Sequence, residues 1–108
     1  MRKGWKSVEI DERVGGAYLG VIPRENNEFL IFGGENEMVY MKKAWYMNSD
    51  FEIREADEMI SADYFYDNMY FPTDGGIGVM GYCGLHILRE GEFVSFDPSK
   101  GSKYIEDN

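Results

Sequence analysis

The chain has few of the residues on which cross-links, metal sites and basic surfaces depend. Its 108 residues include one cysteine, Cys83, and one histidine, His86. A single thiol cannot form an internal disulfide, so the composition gives no sign of an oxidising compartment. Lysine and arginine number 11 against 20 aspartate and glutamate, a net charge of −9. Because an acidic surface repels phosphates, we expect no direct binding to nucleic acid or to an anionic membrane.

Targeting and cofactor signatures are also missing. No run approaches the roughly 18 consecutive apolar residues that a membrane helix needs. The charged N-terminal residues are not followed by an apolar stretch, so they do not form a secretory signal. We therefore expect a cytoplasmic protein. No glycine-rich phosphate-binding motif occurs, and the sequence predicts no cofactor.

Cys83 and His86 are the two residues with obvious chemical potential. A metal site needs three or four ligands, so carboxylates would have to complete one here. His86 lies in an apolar stretch. This favours a structural histidine in a strand, whose ring nitrogens have hydrogen-bond partners within the fold. We predict neither a metal site nor catalytic residues, and a protein that is not an enzyme. A further interpretation is an enzyme that uses an aspartate or glutamate together with His86. The sequence does not decide the roles of Cys83 and His86.

The residues that are abundant point to a folded β protein. Hydrophobic residues make up 44% of the chain and aromatic residues 16%, enough for the core of a single domain. Phe29–Phe32 is an unbroken apolar run that ends at Gly33 and Gly34. This pattern predicts a buried strand, followed by positions that need positive φ or no side chain. A weaker copy occurs at residues 77–82.

Alternation of apolar and polar residues, together with turn signals, predicts four hairpins. The predicted strands are residues 5–10, 17–22, 29–32, 44–47, 51–53, 64–71, 77–80, 84–88 and 92–96. Residues 35–41 are predicted to be a loop, and residues 54–60 a linker or a short helical turn.

The predicted order of strands and turns occurs twice. Residues 18–34 align without a gap on residues 66–82, at an offset of about 48 residues, which is typical of a propeller blade. Tyr18 then matches Tyr66, and Gly33 matches Gly81. We divide the chain into residues 1–16 (the trailing strand of a preceding unit and a turn), 17–58 (a first blade-like repeat), 59–96 (a second) and 97–108 (a polar tail).

The first unit resembles a kelch repeat. The resemblance rests on residues 29–34, 43–47 and 51–53, and in the second unit on Met59, residues 62–66 and Gly81. It implies an all-β fold of antiparallel four-stranded blade-like sheets and a scaffold that binds protein partners. Two units do not close a propeller ring. The chain is therefore a fragment of a longer kelch-type propeller, one of several chains that assemble, or a small two-sheet β domain.

We predict a non-enzymatic protein–protein interaction module. The candidate contacts are aromatic and acidic residues of loops and strands: Glu35, Glu37, Tyr40, Trp45, Tyr64, Tyr66, Asp67, Tyr70, Asp74 and Tyr82. The partner is expected to be a protein with a basic surface, and the chain to form a homo-oligomer or part of a larger assembly. The acidic residues between Asp50 and Asp67 are expected to form a solvated rim. The alternative is a small acidic inhibitor that mimics nucleic acid charge to block a basic-surfaced enzyme.

Overall fold

The computed structural model describes residues 4–5, 7–67 and 69–94. These residues contain ten strands and no helix. In chain order the strands are β1 (Gly20–Pro23), β2 (Phe29–Phe32), β3 (Glu35–Asn36), β4 (Val39–Tyr40), β5 (Ala44–Met47), β6 (Ile53–Ala56), β7 (Tyr70–Thr73), β8 (Gly76–Met80), β9 (Leu85–Arg89) and β10 (Glu92–Val94). The predicted all-β fold with antiparallel four-stranded sheets is confirmed.

The first sheet has the strand order β1-β2-β5-β6, and every pair in it is antiparallel. The β1–β2 loop places Asn26 and Asn27 at φ 60° and 59°, a backbone region that asparagine tolerates better than most residues. In the β5–β6 turn, the side-chain oxygen of Asn48 accepts hydrogen bonds from the backbone N–H groups of Asp50 and Glu52. Both predicted hairpins of this sheet are confirmed.

The second sheet is a meander with the order β7-β8-β9-β10. The predicted Asp74-Gly75 turn joins β7 to β8, with Gly75 at φ 80°. Glu90 and Gly91, at φ 51° and 83°, make the tight turn between β9 and β10. Each four-stranded sheet therefore has its strands in sequential order, with the small β3–β4 hairpin inserted between β2 and β5 of the first.

One face of each sheet contributes to a shared core. The members of this core are Ile22, Leu30, Phe32 and Ala44 from the first sheet, Val79, Leu88 and Phe93 from the second, and Met59 and Phe65 from the segment between them. Phe32 is fully buried, and its ring centroid lies 5.5 Å from that of Phe93 and 5.1 Å from that of Phe65. Phe32 therefore touches both the opposite sheet and the linking segment.

The other face of the first sheet has a smaller core. Ile31, Trp45 and Met47 are buried there with Val14, which comes from the segment before β1. The Arg13 guanidinium lies 5.4 Å from the centroid of the Trp45 ring. This segment was predicted to begin with a strand at residues 5–10, but its described residues, 4–5 and 7–10, form none.

Three further predictions were wrong in part. The strand predicted at 17–22 begins only at Gly20, because Tyr18 has a φ of 57° that interrupts extended backbone. The predicted loop 35–41 contains the β3–β4 hairpin, and the predicted linker 54–60 begins as the last three residues of β6. The polar tail 97–108 and the last two residues of the strand predicted at 92–96 lie outside the described residues.

The largest difference concerns the aromatic strand predicted at 64–71. Among the described residues of that stretch, 64–67 and 69–71, only Tyr70 and Phe71 belong to a strand, β7. Residues 63–65 instead form a connector that crosses the ends of both sheets. The backbone N–H of Phe65 donates to the carbonyl of Tyr18, and that of Tyr82 donates to the carbonyl of Tyr64. These bonds join the connector to loops from each sheet, which a strand continuous with β7 would not do.

Candidate binding surface

The connector lies at the end of the molecule where β2 and β8 finish and β1 begins. Its backbone is held on the first-sheet side by Gly34 N–H, which donates to the carbonyl of Asp63 at 2.9 Å, and by the bridge between Met41 and Asp63. The small hairpin is attached at the same end, since Glu35 and Ala17 exchange backbone hydrogen bonds of 2.9 Å. Segments from both four-stranded sheets and from the small hairpin therefore meet here.

Two glycines, one after β2 and one after β8, allow the connector to approach the ends of these strands closely. A Cβ on Gly33 would lie 2.8 Å from the carbonyl oxygen of Asp63 and 2.8 Å from the ring of Phe65. A Cβ on Gly81 would collide with the Asp63 carboxylate. These two glycines occupy matching positions in the aligned repeats, after β2 and after β8. The predicted need for positive φ or an absent side chain is confirmed at Gly33 and Gly34, which have φ of 68° and 103°.

The loops at this end bring five tyrosines together, and we call them the tyrosine patch. They are Tyr18, Tyr40, Tyr64, Tyr66 and Tyr82. Tyr64 is central: its ring centroid lies 4.6 to 5.8 Å from those of the other four. Tyr64 is 6% exposed, whereas the four around it are 40% to 61% exposed. The patch is thus a surface of tyrosine rings built around one buried ring.

The environment of Tyr64 within the patch favours its neutral phenol. A hydrogen bond with Tyr66, then burial, then a hydrogen bond with Tyr40 raise the pKa of Tyr64 well above its usual value. The Tyr64 hydroxyl therefore stays protonated far into the alkaline range. Because each outer ring contacts the Tyr64 ring, the outer tyrosines are pre-positioned, which lowers the entropy lost when a partner binds.

The connector also carries a buried ionisable pair beneath the patch. Asp63 has no exposed surface and His86 is 8% exposed, and Nε2 of the histidine lies 2.6 Å from Oδ2 of the aspartate. The other carboxylate oxygen accepts hydrogen bonds from the backbone N–H groups of Tyr64 and Cys83. Burial alone would raise the pKa of Asp63, but the bonds from His86, Cys83 and Tyr64 outweigh it, and the pKa is lowered.

This pair corrects one prediction and fits another. Asp63 was placed in a solvated acidic rim, whereas the structure buries it completely. His86 was expected to be satisfied within an apolar strand, and it lies in β9 with its hydrogen-bond partner. Cys83 is exposed, but partial desolvation and the neighbouring Asp63 carboxylate raise the pKa of its thiol, which is the opposite of the activation that a nucleophilic cysteine needs.

A groove continues the patch towards the second sheet. It is open to solvent, has a volume of about 270 Å³ and is lined by Tyr66, Asp67, Met69, Met80, Gly81 and Tyr82. The rings of Tyr66 and Tyr82 stand nearly perpendicular, with centroids 6.0 Å apart. Met69 and Met80 are both about half exposed or more. Among these described lining residues, Asp67 is the one that carries a carboxylate.

The structure therefore brings together five of the ten predicted contact residues: Tyr40, Tyr64, Tyr66, Asp67 and Tyr82. Glu35 pairs with Tyr40 across the β3–β4 hairpin, and Glu37 lies in its turn. The other three are not part of the tyrosine patch. Trp45 is buried on the outer face of the first sheet, Asp74 lies in the β7–β8 turn, and Tyr70 starts β7.

Tyr18, Met69 and Met80 belong to this surface and were not predicted. Tyr18 had been placed in a strand, where half the side chains point inwards. One signal could have found it, because the repeat aligns Tyr18 with Tyr66. In the structure the centroids of these two rings are 4.9 Å apart.

Comparison with family models, with curated proteins and with solved structures finds no match to this chain. The part of the chain that the structure describes has no helix able to cross a membrane. In the same residues, no group of three or more histidine, cysteine, aspartate and glutamate side chains is arranged to hold a metal ion.

Proposed function

We propose that the protein is a non-enzymatic interaction module that binds a protein partner through the tyrosine patch. One observation carries the proposal: four exposed tyrosine rings surround a buried fifth at a place where loops from both sheets meet. Tyrosine supplies large contact area, a hydroxyl for hydrogen bonds and few rotatable bonds, and it is enriched at the energetic centres of interfaces.

The fold supports the same proposal. Each four-stranded meander has the strand order expected of a propeller blade, and the resemblance of the sequence to kelch repeats favours a scaffold that presents loops to partners. The tyrosine patch is made of such loops, the connector and Tyr40 of the small β3–β4 hairpin. We infer that the loops at this end, rather than the sheet faces, bind the partner.

Selection from random peptides tests the proposal whatever the sequence of the partner. A display library of random peptides would be selected on the immobilised protein, and the enriched peptides synthesised and measured by fluorescence anisotropy. The test variant combines Tyr18→Ser, Tyr66→Ser and Tyr82→Ser and leaves the buried Tyr64 in place. The matched control combines Phe29→Ser and Phe51→Ser, which are exposed aromatic residues of the first sheet and its β5–β6 turn.

We expect peptides that bind the wild type and the control alike and bind the patch variant at least about tenfold more weakly, because interface tyrosines are common hot spots. Circular dichroism should show the same fold in all three proteins. Failure to enrich any peptide, or equal binding to the patch variant, would contradict the proposal. The same peptides also separate it from the acidic-inhibitor alternative, since binding driven mainly by net charge would weaken steeply between low and high salt.

A further inference from the structure

Two arginines of this chain share one arrangement. The Arg54 guanidinium lies 4.3 Å from the centroid of the Tyr46 ring and donates to the Glu28 carboxylate at 2.9 Å. The Arg13 guanidinium lies 5.4 Å from the Trp45 ring centroid and donates to the Asp11 carboxylate at 2.8 Å. In each case an aromatic face and a carboxylate hold the same guanidinium. Both contacts favour a cation, and arginine suits them because its planar group is weakly hydrated and stacks on rings.

The groove beside the tyrosine patch has two parts of this arrangement and lacks the third. Tyr66 and Tyr82 supply aromatic surface and Asp67 supplies the carboxylate. None of the described residues that line the groove is an arginine or a lysine. The thioether side chains of Met69 and Met80 offer apolar contact for the stem of a long side chain, and 270 Å³ is room for one.

We propose that this groove binds an arginine side chain of the partner protein. The guanidinium stacks on the Tyr66 or Tyr82 ring and donates to Asp67, while its methylene groups contact the two methionines. The chain has 20 acidic residues against 11 basic ones, so a basic partner is also favoured by the long-range field. This inference rests on the proposed function, because it names the chemistry that the tyrosine patch recognises.

The test uses peptides of defined sequence and reporters inside the groove. The protein is labelled with ¹³C at its methionine methyl groups, and their NMR signals are followed during titration. The probes are the acetylated, amidated pentapeptides Gly-Gly-Arg-Gly-Gly, the same peptide with lysine, and the same peptide with citrulline, which keeps the shape of arginine without its charge. Met47, buried in the other core, serves as the internal reference.

We expect the arginine peptide to shift the Met69 and Met80 signals in a saturable way and to leave Met47 unchanged. The citrulline peptide should bind at least about fivefold more weakly, and Asp67→Asn should weaken the arginine peptide by a similar factor, as expected for a partly exposed charge pair with a ring contact. The matched control Asp74→Asn, in the β7–β8 turn, should bind like the wild type.

Equal binding of citrulline, or unchanged binding by Asp67→Asn, would overturn the inference, as would silent Met69 and Met80 signals. Tighter binding of lysine would also overturn it, by assigning the groove to a different cation. The peptides selected from the display library decide whether the proposed function fails as well. If they depend on the tyrosines but are not enriched in arginine and tolerate Asp67→Asn, the patch binds a partner and only the arginine site is wrong.

Discussion

Asp63 and His86 form a buried pair at the point where the connector meets the second sheet, with Oδ2 of the first 2.6 Å from Nε2 of the second. The carboxylate also accepts hydrogen bonds from the backbone N–H groups of Tyr64 and Cys83. Tyr64 is the centre of the tyrosine patch, and Cys83 follows Tyr82. The pair therefore fixes the two backbone segments that carry Tyr64 and Tyr82, whose rings stack on each other in the patch.

Acid should destabilise the protein through Asp63. Its pKa is lower in the folded chain, so the carboxylate contributes stability above the unfolded pKa of about 3.9 and loses that contribution as the pH falls through the folded value. We expect the free energy of unfolding in urea to fall from about pH 5 downwards, and Asp63→Asn to lack part of that fall. Other carboxylates cause the rest of the fall in unfolding free energy. One of them is Asp11, because hydrogen bonds from Arg13 lower its pKa to about 2.

The control for this experiment is Asp74→Asn, which removes an exposed carboxylate from a turn. It should keep the pH profile of the wild type. A profile for Asp63→Asn that is superimposable on the wild type would show that the buried carboxylate is not lowered in pKa.

Gly81→Ala should destabilise the fold because the new methyl group collides with the Asp63 carboxylate and lies 3.0 Å from the Phe65 ring. Overpacking of this kind costs about 1 to 3 kcal/mol of unfolding free energy. Gly84→Ala is the matched control, since a Cβ there meets no atom within 4 Å, and it should change stability by less than about 0.5 kcal/mol. Equal urea midpoints for the two variants would contradict the close approach of the connector.

Phe32→Ala should be among the most damaging substitutions in the first sheet. Phe32 is fully buried and contacts rings from the opposite sheet and the connector, so its loss should cost about 3 to 5 kcal/mol. Phe29→Ala removes the same side chain from the same strand, where it is 45% exposed, and should cost about 1 kcal/mol. Chemical denaturation measures both, and similar losses would mean that the two sheets do not share a core.

The β3–β4 hairpin should gain stability from Met38→Gly. Glu37 and Met38 occupy the two turn positions at φ 53° and 68°, where a side chain is strained and glycine is not. Relief of the strain should raise the unfolding free energy by about 1 kcal/mol. Val39→Gly, one residue later and within β4, should instead lower it by about the same amount, because glycine weakens a strand. Changes of the same sign in thermal denaturation would refute the turn geometry.

The sequence was most informative where the structure depends on neighbours along the chain. Phe29–Phe32 was predicted to the residue, because an apolar run and two glycines define both ends locally. The 63–65 connector was missed, because its hydrogen bonds go to Tyr18 and Tyr82, and the carboxylate of Asp63 is paired with a histidine 23 residues away. Aromatic residues favour strands on average, and these distant partners outweigh that preference.

The candidate surface was predicted as individual residues rather than as a site. Tyr64, Tyr66 and Tyr82 were predicted contacts as aromatic residues and Tyr40 as part of the predicted loop 35–41, but which of them meet depends on how the two sheets pack. Trp45 has the same chemistry and is buried under Arg13, since its strand position directs it to the outer face of the first sheet. Alternation within a strand predicts that two faces exist, and only tertiary structure decides which one is covered.

The connector also determines which contacts of the first sheet depend on residues that are synthesised later. The first sheet leaves the ribosome before residues 63–65 do. The carbonyl of Tyr18 and the N–H of Gly34 therefore lack their hydrogen-bond partners, Phe65 and Asp63, until the connector has been synthesised. The ring contact between Phe32 and Phe93 can form only later, because Phe93 lies near the end of the described residues. A nascent chain that ends between β6 and the connector therefore lacks Phe65, Val79, Leu88 and Phe93 of the shared core, and it exposes the apolar face of the first sheet to aggregation.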